Sequence, residues 1–381
     1  PAERTLMIQW VKEGGQYAKH WAFVPPRKTK PTGKGNPIDA FIGAKLKKSG
    51  FAPEADKPTL ARRLSLVLTG LPPEPKQLKQ FLKDKRPESY EQLVDELLAS
   101  PRYGEHQARY WLDAVRYGDT HGLHLDNRRG IFPYRDWVVR AFNQNQPLDE
   151  FLVWQLAGDL LPEPTLAQLV ATGFVRMNPT TAEGGAIPAE FQAKNNFDRV
   201  ETLGTALLGM SLTCARCHTH KYDPIPQAEY YRMMAFFNST AEPSMDGNKY
   251  EFGPTIKVPA DIAAWDKWEG LNARQISLTK QSKQKPEDPK LKEQITALAK
   301  KVTEFKKSFK PSLIARDLPK PRETKLLERG EYHLPKGDPL QPGVFSIMGT
   351  LPKGAPANRL GLAQWLTARG HPLVSRVLVN Q

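Results

Sequence analysis

The chain has 381 residues, of which 39% are apolar and 34 are prolines, and a formal charge of +14. That length allows two or more domains with a real core, and no run approaches the roughly 18 consecutive apolar residues that a membrane span needs. The charge excludes little by itself: much of it sits in two lysine-rich stretches, 28–48 and 280–310, without the aromatic interleaving of a nucleic-acid groove. It reads as a solvated basic surface or as attraction to an acidic partner or polyanion, not as a nucleic-acid footprint.

Near the start, Leu6, Trp10 and Val11 keep helical spacing until Gly14-Gly15 stops them. A Lys/Pro/Gly linker follows the segment ending at Pro26. Leu60, Leu64 and Leu68 then repeat every four residues before Gly70-Leu71-Pro72-Pro73 breaks the helix. Leu78, Phe81 and Leu82 carry the next one, and Tyr90, Leu93, Val94, Leu97 and Leu98 form a stripe ending at Ser100-Pro101. The segments 106–117, with Trp111 and Val115 on one face, 134–142, 151–156 and 200–212 continue the helical pattern. Such stripes are core rather than cofactor sites.

Residues 238–258 read as irregular. A helical pair over 262–309 is interrupted by Pro286 and Pro289, with Leu291, Ile295, Leu298 and Val302 as one stripe. The proline-rich segment 318–350 reads as extended or as a few short strands, and 359–366 and 373–379 as two further helices. The expected fold is therefore mainly α: a helical domain with an inserted helical hairpin and a small extended or β segment near the C-terminus.

Between the helices lies a polar loop, Asp119-Thr120-His121-Gly122-Leu123-His124-Leu125-Asp126-Asn127. Asp119, His121, His124 and Asp126 are the residue types that bind a divalent cation. A second polar stretch ends in Glu183-Gly184-Gly185, whose glycine pair is able to present backbone N–H groups to an anion. Glu183, Asp198 and Arg199 are candidates for a polar wall against a sugar-like substrate, with surface salt bridges as the plainer alternative.

The most specific feature is Cys214-Ala215-Arg216-Cys217-His218, which uses both cysteines of the chain. C-x-x-C-H is the attachment signature of a c-type haem: two thiols add to the two porphyrin vinyl groups, and the adjacent histidine becomes the proximal iron ligand. Chance places two cysteines and a histidine this way in about one such chain in ten thousand. A zinc site using Cys214, Cys217 and His220, a redox dithiol and a strained short disulfide are the alternatives. His220 and Asp223 are expected to orient the haem site from behind. His121 and His124 are the leading distal-ligand candidates; Met177, Met210, Met233 and Met234 sit at apolar helical spacings, and an open sixth position is the third outcome. Attachment to thiols is completed outside the cytoplasm, which places the chain in the periplasm, or secreted to the cell surface.

Leu68-Thr69-Gly70-Leu71-Pro72-Pro73, Leu98 to Gly104, Tyr134-Arg135-Asp136-Trp137, Gln155 to Leu161 and Cys214 to Pro226 together resemble the planctomycete cytochrome-associated domain of unknown function, the second domain of PSCyt-type proteins. The resemblance covers about 45–240. It implies a tail of an upstream cytochrome c-like domain at 1–26, the C-x-x-C-H domain at 45–240 and the start of a companion C-terminal domain at 355–381; the residues between read, from their own composition and spacing, as a linker at 27–44, a loop and helical hairpin at 241–317 and an extended segment at 318–354. The chain begins without Met and stops inside an apolar pattern, and so reads as a piece of a longer protein. The implied partners are those flanking domains and an acidic or sulfated polysaccharide, because genes of the family accompany polysaccharide breakdown. The function expected is a covalent haem c module for electron transfer. The alternatives are a haem- or metal-dependent oxidoreductase acting on a carbohydrate, and a structural or adhesive surface protein with a zinc or vestigial cysteine site.

Overall fold

Prolines and capping side chains set the helix starts. In a computed structural model the described residues are 2–32, 35–46 and 50–380. Gly33, Lys34, Lys47 and Lys48, part of the first lysine-rich stretch, lie outside them. Helices α1 (Ala2–Lys12) and α2 (Pro37–Leu46) contribute no buried residue. In α3 (Lys57–Thr69), the Asp56 carboxylate accepts from the Thr59 N–H and Gly70 closes the end at φ 71°. It packs with α4 (Pro75–Lys83) and α5 (Ser89–Leu98) around a small apolar cluster of Ala61, Phe81, Leu93 and Leu97.

The main core is built on α6 (Pro101–Ala114), α7 (Phe132–Asn143), α8 (Leu148–Ala157) and the short α9 (Leu166–Ala171). Its centre is aromatic and internally hydrogen-bonded. Trp111 Nε1 donates to Gln155 Oε1 at 2.8 Å, Tyr134 donates its hydroxyl to the same oxygen at 2.6 Å, and Trp137 stacks on Phe151. Helix α10 (Pro188–Leu203) runs into a π-turn over Gly204–Leu208, stopped by Gly209 in the left-handed region. The expected continuation to Leu212 is thus a widened turn and a break, because Gly204 sits against Leu212 and the Met210 carbonyl, where a side chain would not fit. Helix α11 (Gln227–Ala235) packs back onto α10.

Strand β1 (Thr255–Val258) pairs antiparallel with β2 (Lys310–Leu313), from Thr255 opposite Leu313 to Val258 opposite Lys310. The hairpin of α12 (Ile262–Gln284) and α13 (Pro289–Lys306) rises between them, turned at the expected prolines. The expectation that 238–258 is irregular is corrected at its end: β1 exists because of a partner beyond the hairpin, which no local pattern announces. A smaller ladder joins β3 (Leu326–Leu327) to β4 (Pro335–Lys336). The last helices are α14 (Arg359–Leu366) and α15 (Val374–Asn380). Arg359 of α14 is fully buried and holds Asp159 at 2.6 Å, Asp317 at 2.9 Å and the Leu156 carbonyl at 2.7 Å. The fold is mainly helical, with small antiparallel strand pairs. Among the described residues, no helix is long and apolar enough to cross a membrane.

Candidate functional site

The C-x-x-C-H pentapeptide forms a single helical turn at the surface. The Cys214 carbonyl accepts from the N–H groups of Cys217 at 3.3 Å and His218 at 3.4 Å. Ala215, in the middle, is fully buried with Leu212 and Ile225, so the turn is anchored by its alanine and presents its other side outward. Both thiols are free and exposed. The His218 ring is exposed as well, and its Nδ1 lies 2.7 Å from the Thr219 carbonyl. A carbonyl only accepts, so Nδ1 carries the proton and the Nε2 lone pair stays open.

His220 is spent differently. Its Nδ1 accepts from the backbone N–H groups of Asp223 at 2.9 Å and Tyr222 at 3.3 Å, which puts the ring proton on Nε2. The His220 backbone N–H donates to the Ile225 carbonyl at 3.0 Å. The imidazole staples the 220–225 turn beneath the pentapeptide, and the Asp223 carboxylate stands 3.4 Å from Nδ1.

Two core side chains hold the turn from behind. Tyr231 donates its hydroxyl to the Arg216 carbonyl at 2.9 Å, and Gln227 Nε2 donates to the same oxygen at 3.0 Å. Both also reach the Leu327 carbonyl of β3, at 3.3 and 3.4 Å. The β3–β4 turn is therefore pinned beside the cysteines. Gly330, at its tip, approaches so closely that a Cβ there would stand 3.2 Å from Cys217 Sγ. Arg216 lies over the Phe197 ring of α10.

A family profile described as PSCyt2, a protein of unknown function (DUF1549), matches residues 37–242, more than half of the chain. The chain belongs to that family. No curated protein and no solved structure matches it. The C-x-x-C-H turn lies inside the PSCyt2 segment, whereas the β3–β4 turn beside it lies beyond.

Within the PSCyt2 segment, the polar loop 119–127 does not gather its four acidic and histidine side chains. His121 is fully buried, with Nε2 3.0 Å from Asp246 Oδ2, and its backbone is tied to Asn127 and Thr180. Burial holds His121 below the usual imidazole range and pushes Asp246 up to about 6. Asp119 takes the Tyr117 hydroxyl, Asp126 accepts from the Gly122 N–H at 2.8 Å, and His124 is exposed. Among the described residues, no group of three or more His, Cys, Asp or Glu side chains is placed to hold a metal ion. Glu183 is exposed, Asp198 pairs with Arg116, and Arg199 is buried on Glu242, so these three do not form one wall.

Sequence reasoning missed Asp246 and a buried arginine cluster. Arg129 donates to the Asn178 and Arg176 carbonyls at 3.0 and 2.6 Å, and Arg176 to those of Ile314 and Phe252 at 2.8 and 2.9 Å. Burial pulls both guanidinium groups down to about 10. Their partners are backbone carbonyls from distant segments, which leave no mark in composition or periodicity.

Proposed function

We propose that the chain is a c-type haem-binding module of a periplasmic or secreted multidomain redox protein. One observation carries this: two free, exposed thiols share a helical turn with an imidazole whose Nδ1 is fixed by a carbonyl and whose Nε2 is open. That donor set fits a c-type haem. Cys214 and Cys217 would each add S–H across a vinyl C=C, sulfur to one carbon and hydrogen to the other, so nothing is released and no oxidant is consumed. His218 would hold the iron through Nε2. A haem held in this way supplies one-electron chemistry.

The remaining roles belong to the chain itself. Ala215 anchors the turn, Tyr231 and Gln227 fix the Arg216 carbonyl, and His220 keeps the following turn closed. The same His220 geometry favours haem over zinc, because its Nδ1 is occupied and its Nε2 carries the proton. Electrons would pass between an upstream cytochrome c-like domain and a companion C-terminal domain, in a process linked to breakdown of acidic or sulfated polysaccharide. The family resemblance and the charge of +14 support that wider setting.

The test is a reduced-minus-oxidised visible spectrum of protein matured with c-type haem assembly machinery. Wild type is expected to show the sharp α-band of haem c, and the double variant Cys214→Ser/Cys217→Ser to lose it. A featureless wild-type spectrum would remove the proposal.

A further inference from the structure

Resting on the haem reading above, we propose that His333, in the β3–β4 turn, is the second axial ligand of the iron attached at Cys214 and Cys217.

The histidines sort by what their rings already do. His121 and His371 are buried. Nδ1 of His20 accepts from the Ala22 N–H, that of His220 from Tyr222 and Asp223, and that of His371 from Leu373 and Val374. His106 packs beneath Gly70, its ring where a Cβ of that residue would stand. With His218 bonded through Nδ1 to the Thr219 carbonyl, two exposed rings remain without a hydrogen-bonded nitrogen among the described residues, His124 and His333. The loop of His124 is tied to other places: the 119–130 backbone and side chains bond to Thr180, Asn248 and Tyr250.

The turn of His333 is tied to the cysteines. Leu327 shares both of its donors with Arg216, and Gly330 stands so close to Cys217 that an added Cβ would lie 3.2 Å from its Sγ. The turn is closed by Glu328 N–H to the Leu334 carbonyl at 2.9 Å, and by bonds from Glu331 to Glu328 and from Leu334 to Glu331 at 3.0 Å each. Arg329 (φ 53°) and Gly330 (φ 76°) are both left-handed. A non-glycine residue in that region is strained, and such strain persists where the surroundings fix it, often at ligand clamps. Here the left-handed pair lies in the part of the turn that runs beside Arg216 and Cys217.

The two residues after Glu331 then divide. Tyr332 is half-buried and lines a cavity of about 350 Å³ with Asn196, Met234, Asn238 and Arg322. His333 is exposed, with its ring edge-on to Tyr332 at 5.1 Å, and Leu334 beside it offers an exposed apolar surface. An imidazole braced by an aromatic ring on a pinned turn next to a haem-attachment turn has the chemistry of an axial ligand. The consequence is a closed, low-spin, six-coordinate iron, suited to electron transfer rather than to small-ligand activation.

The experiment uses the full chain matured with c-type haem assembly machinery. Denaturing mass spectrometry first establishes covalent haem on wild type, His333→Ala and His124→Ala. Wild type is expected to be low-spin and, when reduced, unreactive towards carbon monoxide. His333→Ala is expected to keep the haem mass, become high-spin and bind carbon monoxide, with added imidazole restoring the low-spin spectrum. His124→Ala is expected to match wild type. A low-spin, carbon-monoxide-resistant His333→Ala that carries haem would overturn the ligand assignment alone, as would a high-spin wild type. Absence of haem mass from all three proteins would overturn the haem reading and this ligand with it.

Discussion

The Tyr231 hydroxyl donates to the Arg216 carbonyl at 2.9 Å and thereby couples a core helix to the turn that carries both thiols. Because Gln227 serves the same carbonyl, Tyr231→Phe leaves it one donor. The expected loss is about 1 kcal/mol, the net worth of a hydrogen bond that is not the last one. Adding Gln227→Ala takes the second donor away, and the combined loss is expected to reach roughly 2–3 kcal/mol. Urea unfolding midpoints of the two variants check this. Equal midpoints would show that the carbonyl does not depend on α11.

Two left-handed glycines in the same region separate backbone strain from contact. Gly330 (φ 76°) faces Arg216 Cγ at 3.0 Å and Cys217 Sγ at 3.2 Å from an added Cβ, whereas Gly337 (φ 73°) faces nothing within 4 Å. Gly337→Ala therefore meets only the conformational cost, about 1 kcal/mol. Gly330→Ala adds overpacking on top and is expected to cost about 1–3 kcal/mol more. Thermal melts of the pair decide it, and identical melting temperatures would contradict the close approach to Cys217.

His371 gives the fold an acid limit. Its Nδ1 accepts from the N–H groups of Leu373 and Val374, its ring stands edge-on to Trp365, and burial pushes it down to about 4 from an ordinary 6.5. Between those two values the unfolded chain binds a proton that the folded chain refuses. Stability therefore falls as pH drops from about 6.5 to about 4, by a total on the order of 3 kcal/mol. Asp246, pushed up to about 6, works in the opposite sense: its folded form holds a proton that the unfolded form has lost. The difference between wild type and His371→Gln across that range isolates the histidine. A difference that does not change with pH would refute its burial as a neutral ring.

Arg359 clasps the C-terminal helices to the core through Asp159, Asp317 and the Leu156 carbonyl, with no exposed surface of its own. Removing one partner of a buried ionic group leaves the others uncompensated, so Arg359→Ala is expected to cost about 3–5 kcal/mol. Chemical denaturation monitored by circular dichroism measures it, and a loss below about 1 kcal/mol would mean the carboxylates find other partners.

Hydropathy located the helices better than it located their buried faces. In α5, Leu93 and Leu97 go inside as their spacing predicts, but in α3 the buried line is Ala61, Ser65 and Thr69, and Leu64 and Leu68 are only half-buried. Ser65 donates to the Leu71 carbonyl and Thr69 to the Ser65 carbonyl, so hydroxyls satisfied within a few residues sit where leucines were expected. The C-x-x-C-H turn was legible because its chemistry is local: five consecutive residues make it. What surrounds it was not. Gly330 and His333 arrive on a ladder of two-residue strands, too short to carry any alternation, and Asp246 meets His121 from an irregular segment.

Covalent haem is decided by the intact mass of the chain under denaturing conditions, after expression with c-type haem assembly machinery. Wild type is expected to be heavier by one haem and the Cys214→Ala/Cys217→Ala protein to show its bare polypeptide mass. A wild type that also weighs only its polypeptide, with both thiols open to alkylation, would contradict it.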